Sequence, residues 1–413
     1  MFDHLEIYSP RERWAVGLAD LGLSALALPD RLLRDRDRRR LAPRRVLLLR
    51  LERIGDLLMT LGAIRAVRAA APDAAIDLVV GSWNEAIARL VPEVTLVETL
   101  DLPWLARGAG ATPWQALPAR AQAWRSREYD LAINFEGDVR SHALMRMSGA
   151  GRRVGFGHAG GAALLTDVVA HDAGRHVADN GLALVERAFE LAPGSLPGPR
   201  TARGAAAWRL APPEAARGAA RAVVAQLAGS ASALEAPWLA VHAPAGRQVK
   251  QWPPDRFADA AAALARRMGA MVVLTAEPAD AALVADIETR LRAAGTPTVT
   301  VQGIDLVLLA ALLEQCRLLL TADTGPMHLA AAVGTPVVAV FGPSRPWQYG
   351  PLIEPHRVVR VDLPCSPCNR IRLPPARCQG GVPDCLAAVD TASVVAAGLS
   401  LLSAVHPAAT PAR

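Results

Sequence analysis

Residues 318–343 read Leu-Leu-Leu-Thr-Ala-Asp-Thr-Gly-Pro-Met-His-Leu-Ala-Ala-Ala-Val-Gly-Thr-Pro-Val-Val-Ala-Val-Phe-Gly-Pro. An apolar run of strand length enters Asp323-Thr324-Gly325, and Pro326 then suits the first position of a helix that Gly334 ends. Thr335-Pro336 starts a second apolar run that stops at Gly342-Pro343. Two buried strands joined through one helix form a βαβ unit, which implies a parallel sheet covered by helices. The helix start leaves backbone N–H groups beside Thr324, where an anion such as a pyrophosphate is favoured. The same residues equally describe an ordinary helix with Asp323 or Thr324 as its cap.

The pattern extends outward in both directions. Further strands are expected at Val46–Leu51, Ile76–Val80, Leu131–Phe135, Leu239–His242, Met271–Thr275, Thr298–Val301, Leu318–Thr321 and Val337–Phe341. Amphipathic helices are expected between them at Leu57–Ala70, Asp255–Arg267 and Asp305–Glu314. The alternation breaks at Ala192–Pro213, where Pro and Gly cluster. The chain of 413 residues is therefore expected to be α/β, with two similar Rossmann-like halves and parallel sheets facing across a cleft. Residues 1–43 form a helical appendage, 44–192 the first domain, 193–213 a linker and 214–413 the second domain. A Cys-rich segment occupies 364–386.

The net charge of +6 admits phosphates or anionic lipids, but no basic stripe interleaved with aromatics marks a nucleic-acid surface. Of 45 Lys and Arg residues a single one, Lys250, is lysine. In a chain that otherwise uses arginine, a lone compact ammonium is conspicuous. It sits in His242-Ala-Pro-Ala-Gly-Arg-Gln-Val-Lys250-Gln-Trp252-Pro253-Pro254, a loop after a strand and before a Pro-started helix. There it can reach a leaving diphosphate, and Trp252 is expected to pack the loop down. Arg50-Leu-Glu52-Arg53-Ile-Gly55-Asp56 is the counterpart in the first half. It lacks G-x-G-x-x-G, which disfavours an NAD-dependent oxidoreductase. Asp56 either caps the following helix or faces a hydroxyl as general base. Asn134-Phe-Glu136-Gly137-Asp138-Val-Arg140-Ser141 follows another strand and suits an acidic or hydroxylated acceptor.

No run of 18 apolar residues is present, so no membrane-spanning helix is expected. Trp14–Leu28, followed by Arg31, Arg34, Arg36, Arg38, Arg39 and Arg40, is an amphipathic, basic segment. It either lies on an anionic membrane surface or packs on the protein. Cys365, Cys368, Cys378 and Cys385 form a C-x2-C-x9-C-x6-C set. Four such thiols hold a structural zinc or iron, stay reduced, or form disulfides.

Taken in order, these motifs resemble glycosyltransferase family 9, the lipopolysaccharide heptosyltransferase family, from about residue 44 to 400. The elements are R-x-x-x-x-G-D, the Asn134–Ser141 segment, H-x-x-x-x-x-x-x-K-x-W-P, and D-[ST]-G-P-M-H-L-A-A-A. The resemblance implies the GT-B architecture and an inverting transfer of heptose from ADP-heptose to a lipopolysaccharide core sugar, with no cofactor for catalysis. It implies Asp56 as general base and Lys250 on the leaving diphosphate. Glu277, Asp323, Thr324, Gly325 and His328 become donor contacts, and Arg53, Glu136 and Arg140 acceptor contacts. Asn134 and Glu136 depart from the family's usual Asp and Gln, and Ala243-Pro244-Ala245 lacks hydroxyls common there. The four cysteines are similar to the iron motif of autotransporter heptosyltransferases, which leaves protein or another glycan as alternative acceptors. A non-catalytic sugar-nucleotide-binding scaffold is the other alternative. The expected location is cytoplasmic, with peripheral attachment to the inner membrane left open by the basic N-terminal segment, and no nucleic-acid partner is expected.

Overall fold

A computed structural model describes Phe2, residues 5–7, 9–26, 42–106, 110–198, 205–230 and 234–405. Within it the chain divides into two compact units, Met1–Ala207 and Trp208–Arg413.

The first unit contains a six-stranded parallel sheet of order β3-β2-β1-β4-β5-β6. Its strands are β1 Arg45–Arg50, β2 Ala75–Val80, β3 Leu96–Thr99, β4 Leu131–Asn134, β5 Arg152–Phe156 and β6 Asp167–Val169. The second unit repeats the order as β12-β11-β10-β7-β8-β9. Here β7 is Trp238–His242, β8 Met271–Ala276, β9 Thr298–Gln302, β10 Leu318–Ala322, β11 Val337–Val340 and β12 His356–Val359. Each sheet thus has the doubly wound Rossmann order, with a reversal between β1 and β4 in one and between β7 and β10 in the other. Loops at the carboxyl ends of such strand pairs splay apart and leave a crevice for ligands.

Central strands are apolar because both faces are covered. Val46, Leu47, Leu48 and Leu49 are wholly buried in β1, as are Leu318, Leu319 and Leu320 in β10. Helix Pro254–Met268 lays Phe257, Ala258, Ala261, Leu264 and Ala265 against β7 and β8, with Leu401 and Val394 of helix Thr391–Val405 in the same core. Its alanine-rich face lets backbone come close to the sheet, so packing survives with few aromatics.

All eight strands expected from sequence are present, within one or two residues of the expected ends. The four additional strands, β3, β5, β6 and β12, lie at or next to sheet edges. Edge strands have a solvated side, so their apolar signal is diluted: β3 carries Glu98 and β12 carries His356 and Arg357, while β5, one strand in from the edge, opens with two arginines, Arg152 and Arg153. The helix expected at Leu57–Ala70 is two, Ile54–Leu58 and Leu61–Ala70, broken where the Thr60 hydroxyl donates to the Asp56 carbonyl at 2.8 Å. Helix Gly325–Val333 begins one residue before Pro326, and Gly334 ends it at φ 96°, a left-handed conformation open to glycine.

Helix Pro10–Leu26 belongs to the first unit. It is docked by Asp20, whose Oδ1 accepts from the Gly161 N–H at 2.7 Å. Trp14, Leu18 and Leu21 remain half or more exposed. The basic run Arg31–Arg40 lies outside the described residues.

Candidate active site

In the first unit, the buried cation Arg50 organises the loop after β1. Its Nη1 donates to Glu52 Oε2 at 2.7 Å and to the Phe135 carbonyl at 2.9 Å; its Nε donates to the Asp56 carbonyl at 3.0 Å. The Glu52 carbonyl accepts from Trp83 Nε1 and Asn84 Nδ2, so the loop is braced by residues following β2. Arg53 is the helix N-cap, and Asp56 stands three residues in, its Oδ2 accepting from the Arg53 N–H at 3.0 Å. The other Asp56 oxygen lies 3.5 Å from Arg50 Nη2, and the side chain keeps 26 % exposure. Asp56 therefore satisfies a helix donor with one oxygen while its carboxylate stays reachable from solvent.

Glu136 is not reachable. Its Oε1 accepts from the Leu51 N–H at 2.9 Å and its Oε2 from the Ser141 hydroxyl at 2.8 Å, and burial pushes its carboxyl up. It ties the loop after β4 to the loop after β1, which suits a positioning role better than contact with an acceptor. Arg140 is half-buried, chelates Asp138, and lies 4.4 Å over the Trp104 ring. Arg53 lies 5.0 Å over Trp83 and donates to the Leu105 carbonyl. Both guanidiniums thus lean on the adjacent residues Trp104 and Leu105. Trp83 and Trp104 carried no sequence signal, because nothing in their local pattern marks a tryptophan as the backing of an arginine from another segment.

In the second unit, β7 and β10 bring the lone lysine and the Asp-Thr-Gly loop together. Lys250 Nζ lies 2.8 Å from Asp323 Oδ2, with side chains 19 % and 9 % exposed. Thr324 is the N-cap of helix Gly325–Val333, and its side chain makes no cap bond. Thr324 and Gly325 are half-buried, whereas His328 is buried further along the helix. Glu277 follows β8 and is exposed. Trp252 does pack the lysine loop down: it is 1 % exposed, donates to the Val389 carbonyl at 3.1 Å, and meets Phe257 edge to face. His242 ends β7 beside Thr275 at 3.1 Å, and burial pushes its pKa down to about 4.

The two units thus hold a reachable carboxylate and a tethered ammonium, each at the reversal point of its sheet. Residues 119–374, more than half of the chain, match the model of glycosyltransferase family 9 (heptosyltransferase). The chain belongs to that family. It is a glycosyltransferase. Lipopolysaccharide heptosyltransferase 2 of Salmonella typhimurium is 27 % identical over 323 residues, covering 75 % of this chain and 85 % of that protein. Among solved structures, the Escherichia coli ADP-heptose lipopolysaccharide heptosyltransferase II aligns with a TM-score of 0.68 at 22 % identity, over 87 % of this chain and 98 % of that one. A family 9 transferase from Veillonella parvula aligns at 0.69 and 22 % identity, over 87 % and 97 %. These likenesses give this family 9 transferase its GT-B fold.

All five cysteines of the transferase are free, so the disulfide alternative is absent from the structure. Cys365, Cys368, Cys378 and Cys385 line one pocket of about 270 Å³ together with Arg370, Arg377 and Val249. Val249 precedes Lys250, so the cysteine segment underlies the lysine loop, a proximity that sequence separation concealed. Among the described residues, no helix is long and apolar enough to cross a membrane.

Proposed function

We propose that the enzyme transfers heptose from ADP-heptose to a lipopolysaccharide core sugar with inversion. The observation that carries this is the Lys250–Asp323 pair beside a helix start with an uncapped Thr324, at the reversal point of the second sheet. It is a binding place for an anionic leaving group. The printed names of the relatives, lipopolysaccharide heptosyltransferase 2 and ADP-heptose lipopolysaccharide heptosyltransferase II, support the choice of donor and acceptor.

In this reading the second unit holds ADP-heptose. Lys250 and the Thr324–Gly325 backbone contact the diphosphate, Asp323 orients the ammonium, and Glu277 contacts the sugar or ribose. The first unit holds the acceptor, with Arg53 and Arg140 on its anionic groups and the tryptophans behind them limiting their freedom. Asp56 takes the proton of the acceptor hydroxyl as that oxygen bonds to the anomeric carbon from the face opposite ADP. The bond from that carbon to the β-phosphate oxygen breaks, and the negative charge building on the phosphate meets the lysine. No catalytic cofactor enters this sequence. The four cysteines are a donor set for a structural zinc or iron, and such an ion would stiffen the segment beneath Val249 and Lys250.

Exposed Trp14, Leu18 and Leu21, spaced on one helical stripe ahead of a basic run, support peripheral attachment to an anionic inner-membrane surface. The decisive assay incubates the protein with ADP-heptose, with and without heptose-deficient lipopolysaccharide, and follows ADP release and acceptor mass. Acceptor-dependent ADP release with one heptose added is expected. Release that no lipopolysaccharide acceptor stimulates would overturn the acceptor assignment, and no release at all would overturn the donor assignment.

A further inference from the structure

We propose that Glu6, His158 and His171 form a binding site for a divalent transition-metal ion of the zinc class, which pins the N-terminal segment to the first unit. One carboxylate oxygen and one nitrogen from each imidazole all lie within 4.8 Å of one another. Around a tetrahedral ion with ligands at ~2.0 Å, neighbouring ligand atoms stand ~3.3 Å apart. The Glu6 Oε2 to His171 Nδ1 separation is 3.3 Å, so this pair already has the spacing that an ion requires. The His158 and His171 rings stack at 4.1 Å between centroids and 22° between planes, so one ring turns to aim both nitrogens at the ion.

Two further observations favour a ligand set over an ordinary ion pair. First, His158 Nδ1 is buried without a hydrogen-bond partner. An orphaned buried nitrogen is costly, and a metal ion would satisfy it. Second, the set is built in. Phe156 meets both rings edge to face, and the Glu6 N–H donates to the His158 carbonyl at 2.7 Å. Gly137 makes room for the His158 ring, since a Cβ there would stand 2.2 Å from its Cε1.

The ligands come from three places. His158 follows β5, His171 follows β6, and Glu6 precedes helix Pro10–Leu26. Because His158 packs on Gly137, and Asp138 pairs with Ala159 in an isolated bridge, the site adjoins the loop that carries Arg140. An ion here therefore couples docking of the N-terminal helix to the order of that loop. The four-cysteine pocket belongs to the other unit, and its sulfur ligands are spectroscopically distinct from this nitrogen and oxygen set.

The test uses the full chain, freed of metal with a chelator and titrated with Co²⁺ as the probe. Thiolate sites give sulfur-to-cobalt charge-transfer absorption in the near ultraviolet, whereas a His2Glu site gives only d–d bands. Wild type should take up one Co²⁺ equivalent beyond any that thiolate absorption accounts for, and that equivalent should slow proteolysis of the N-terminal segment. His171→Ala should lose the equivalent and the protection. Glu6→Gln lies on a half-exposed residue, leaves the core untouched, and should lose them too. Wild type and both variants binding the same number of Co²⁺ ions with the same spectrum would overturn the site, as would wild type showing thiolate-bound cobalt alone.

Discussion

Replacing Lys250 tests the donor side most directly. Its Nζ sits 2.8 Å from Asp323 Oδ2, in a pair whose members are 19 % and 9 % exposed. At an effective dielectric of 20, two unit charges at that distance attract by ~6 kcal/mol before desolvation and ordering costs. In the proposed reading, Lys250→Ala removes the cation from the leaving phosphate and also leaves the Asp323 charge facing the diphosphate unbalanced. Loss of one preorganised electrostatic contact to a developing charge costs ~3–4 kcal/mol, a fall of ~10²–10³ in kcat. Lys250→Arg keeps the charge and changes its shape. A planar guanidinium pairs with Asp323 through two parallel N–H donors. That geometry holds the cation on the aspartate and away from the phosphate, so a loss of about tenfold in kcat is expected, roughly 1.4 kcal/mol. The measurement is steady-state ADP release for both variants, with ADP-heptose binding followed by calorimetry. A native rate in Lys250→Arg would refute the argument from lysine shape. An unchanged kcat in Lys250→Ala, with only KM raised, would remove Lys250 from the chemical step altogether.

Asp56→Asn keeps much of the cap geometry but cannot accept a proton, so kcat should fall by about 10²–10⁴ with donor affinity nearly unchanged; equal loss of both would make Asp56 a helix residue only. Arg53→Ala and Arg140→Ala should raise KM for the acceptor and leave donor binding alone, since the two guanidiniums are held on the first unit by Trp83 and Trp104. His242, buried with a pKa near 4, is favoured neutral in the folded state. Its contribution to stability is complete above the unfolded value near 6.5 and is lost as pH falls towards 4, by roughly 3 kcal/mol. Melting temperatures across that window should drop for wild type and drop less for His242→Gln; parallel curves would exclude His242 as a cause. Trp14→Glu with Leu18→Glu should abolish co-sedimentation with anionic vesicles and spare turnover on a soluble truncated acceptor, whereas unchanged sedimentation would detach the helix from any membrane role.

Much of the fold was legible because central strands of a doubly wound sheet are buried on both faces and read as unbroken apolar runs. Leu318–Ala322 and Val337–Val340 are of that kind. Edge strands hide because one side meets water, as the burial of Leu96–Thr99 illustrates. The candidate site was legible where it follows a strand in sequence: Asp56 after β1, Lys250 after β7, Asp323 after β10. It was illegible where it depends on which strands become neighbours. Glu136 reads as a free acidic residue in its own segment, yet β1 and β4 pair in register from Val46 with Leu131, and this brings Leu51 to its carboxylate. Likewise Val249 and the four cysteines meet only through the tertiary fold.

The two reversal points use one topology with opposite charge order. In the first unit a buried cation, Arg50, restrains partly exposed carboxylates, Glu52 and Asp56. In the second, a nearly buried carboxylate, Asp323, restrains a partly exposed cation, Lys250. A buried charge is tolerated only when paired, so in each unit the hidden partner fixes the reachable one. The proposed inverting transfer needs both kinds of exposed group, a carboxylate to take a proton and a cation to meet a departing phosphate. The same sheet order supplies either, because the loops at its reversal point hold whichever charge their buried counter-ion dictates. Exchanging those counter-ions, rather than the exposed groups, would therefore be the more damaging change: Arg50→Leu leaves Glu52 and Asp56 without their shared cation and frees the Phe135 carbonyl. Glu52 and Asp56 keep 32 % and 26 % exposure, so water screens part of the loss, and this variant should lose about 1–3 kcal/mol of stability as well as turnover.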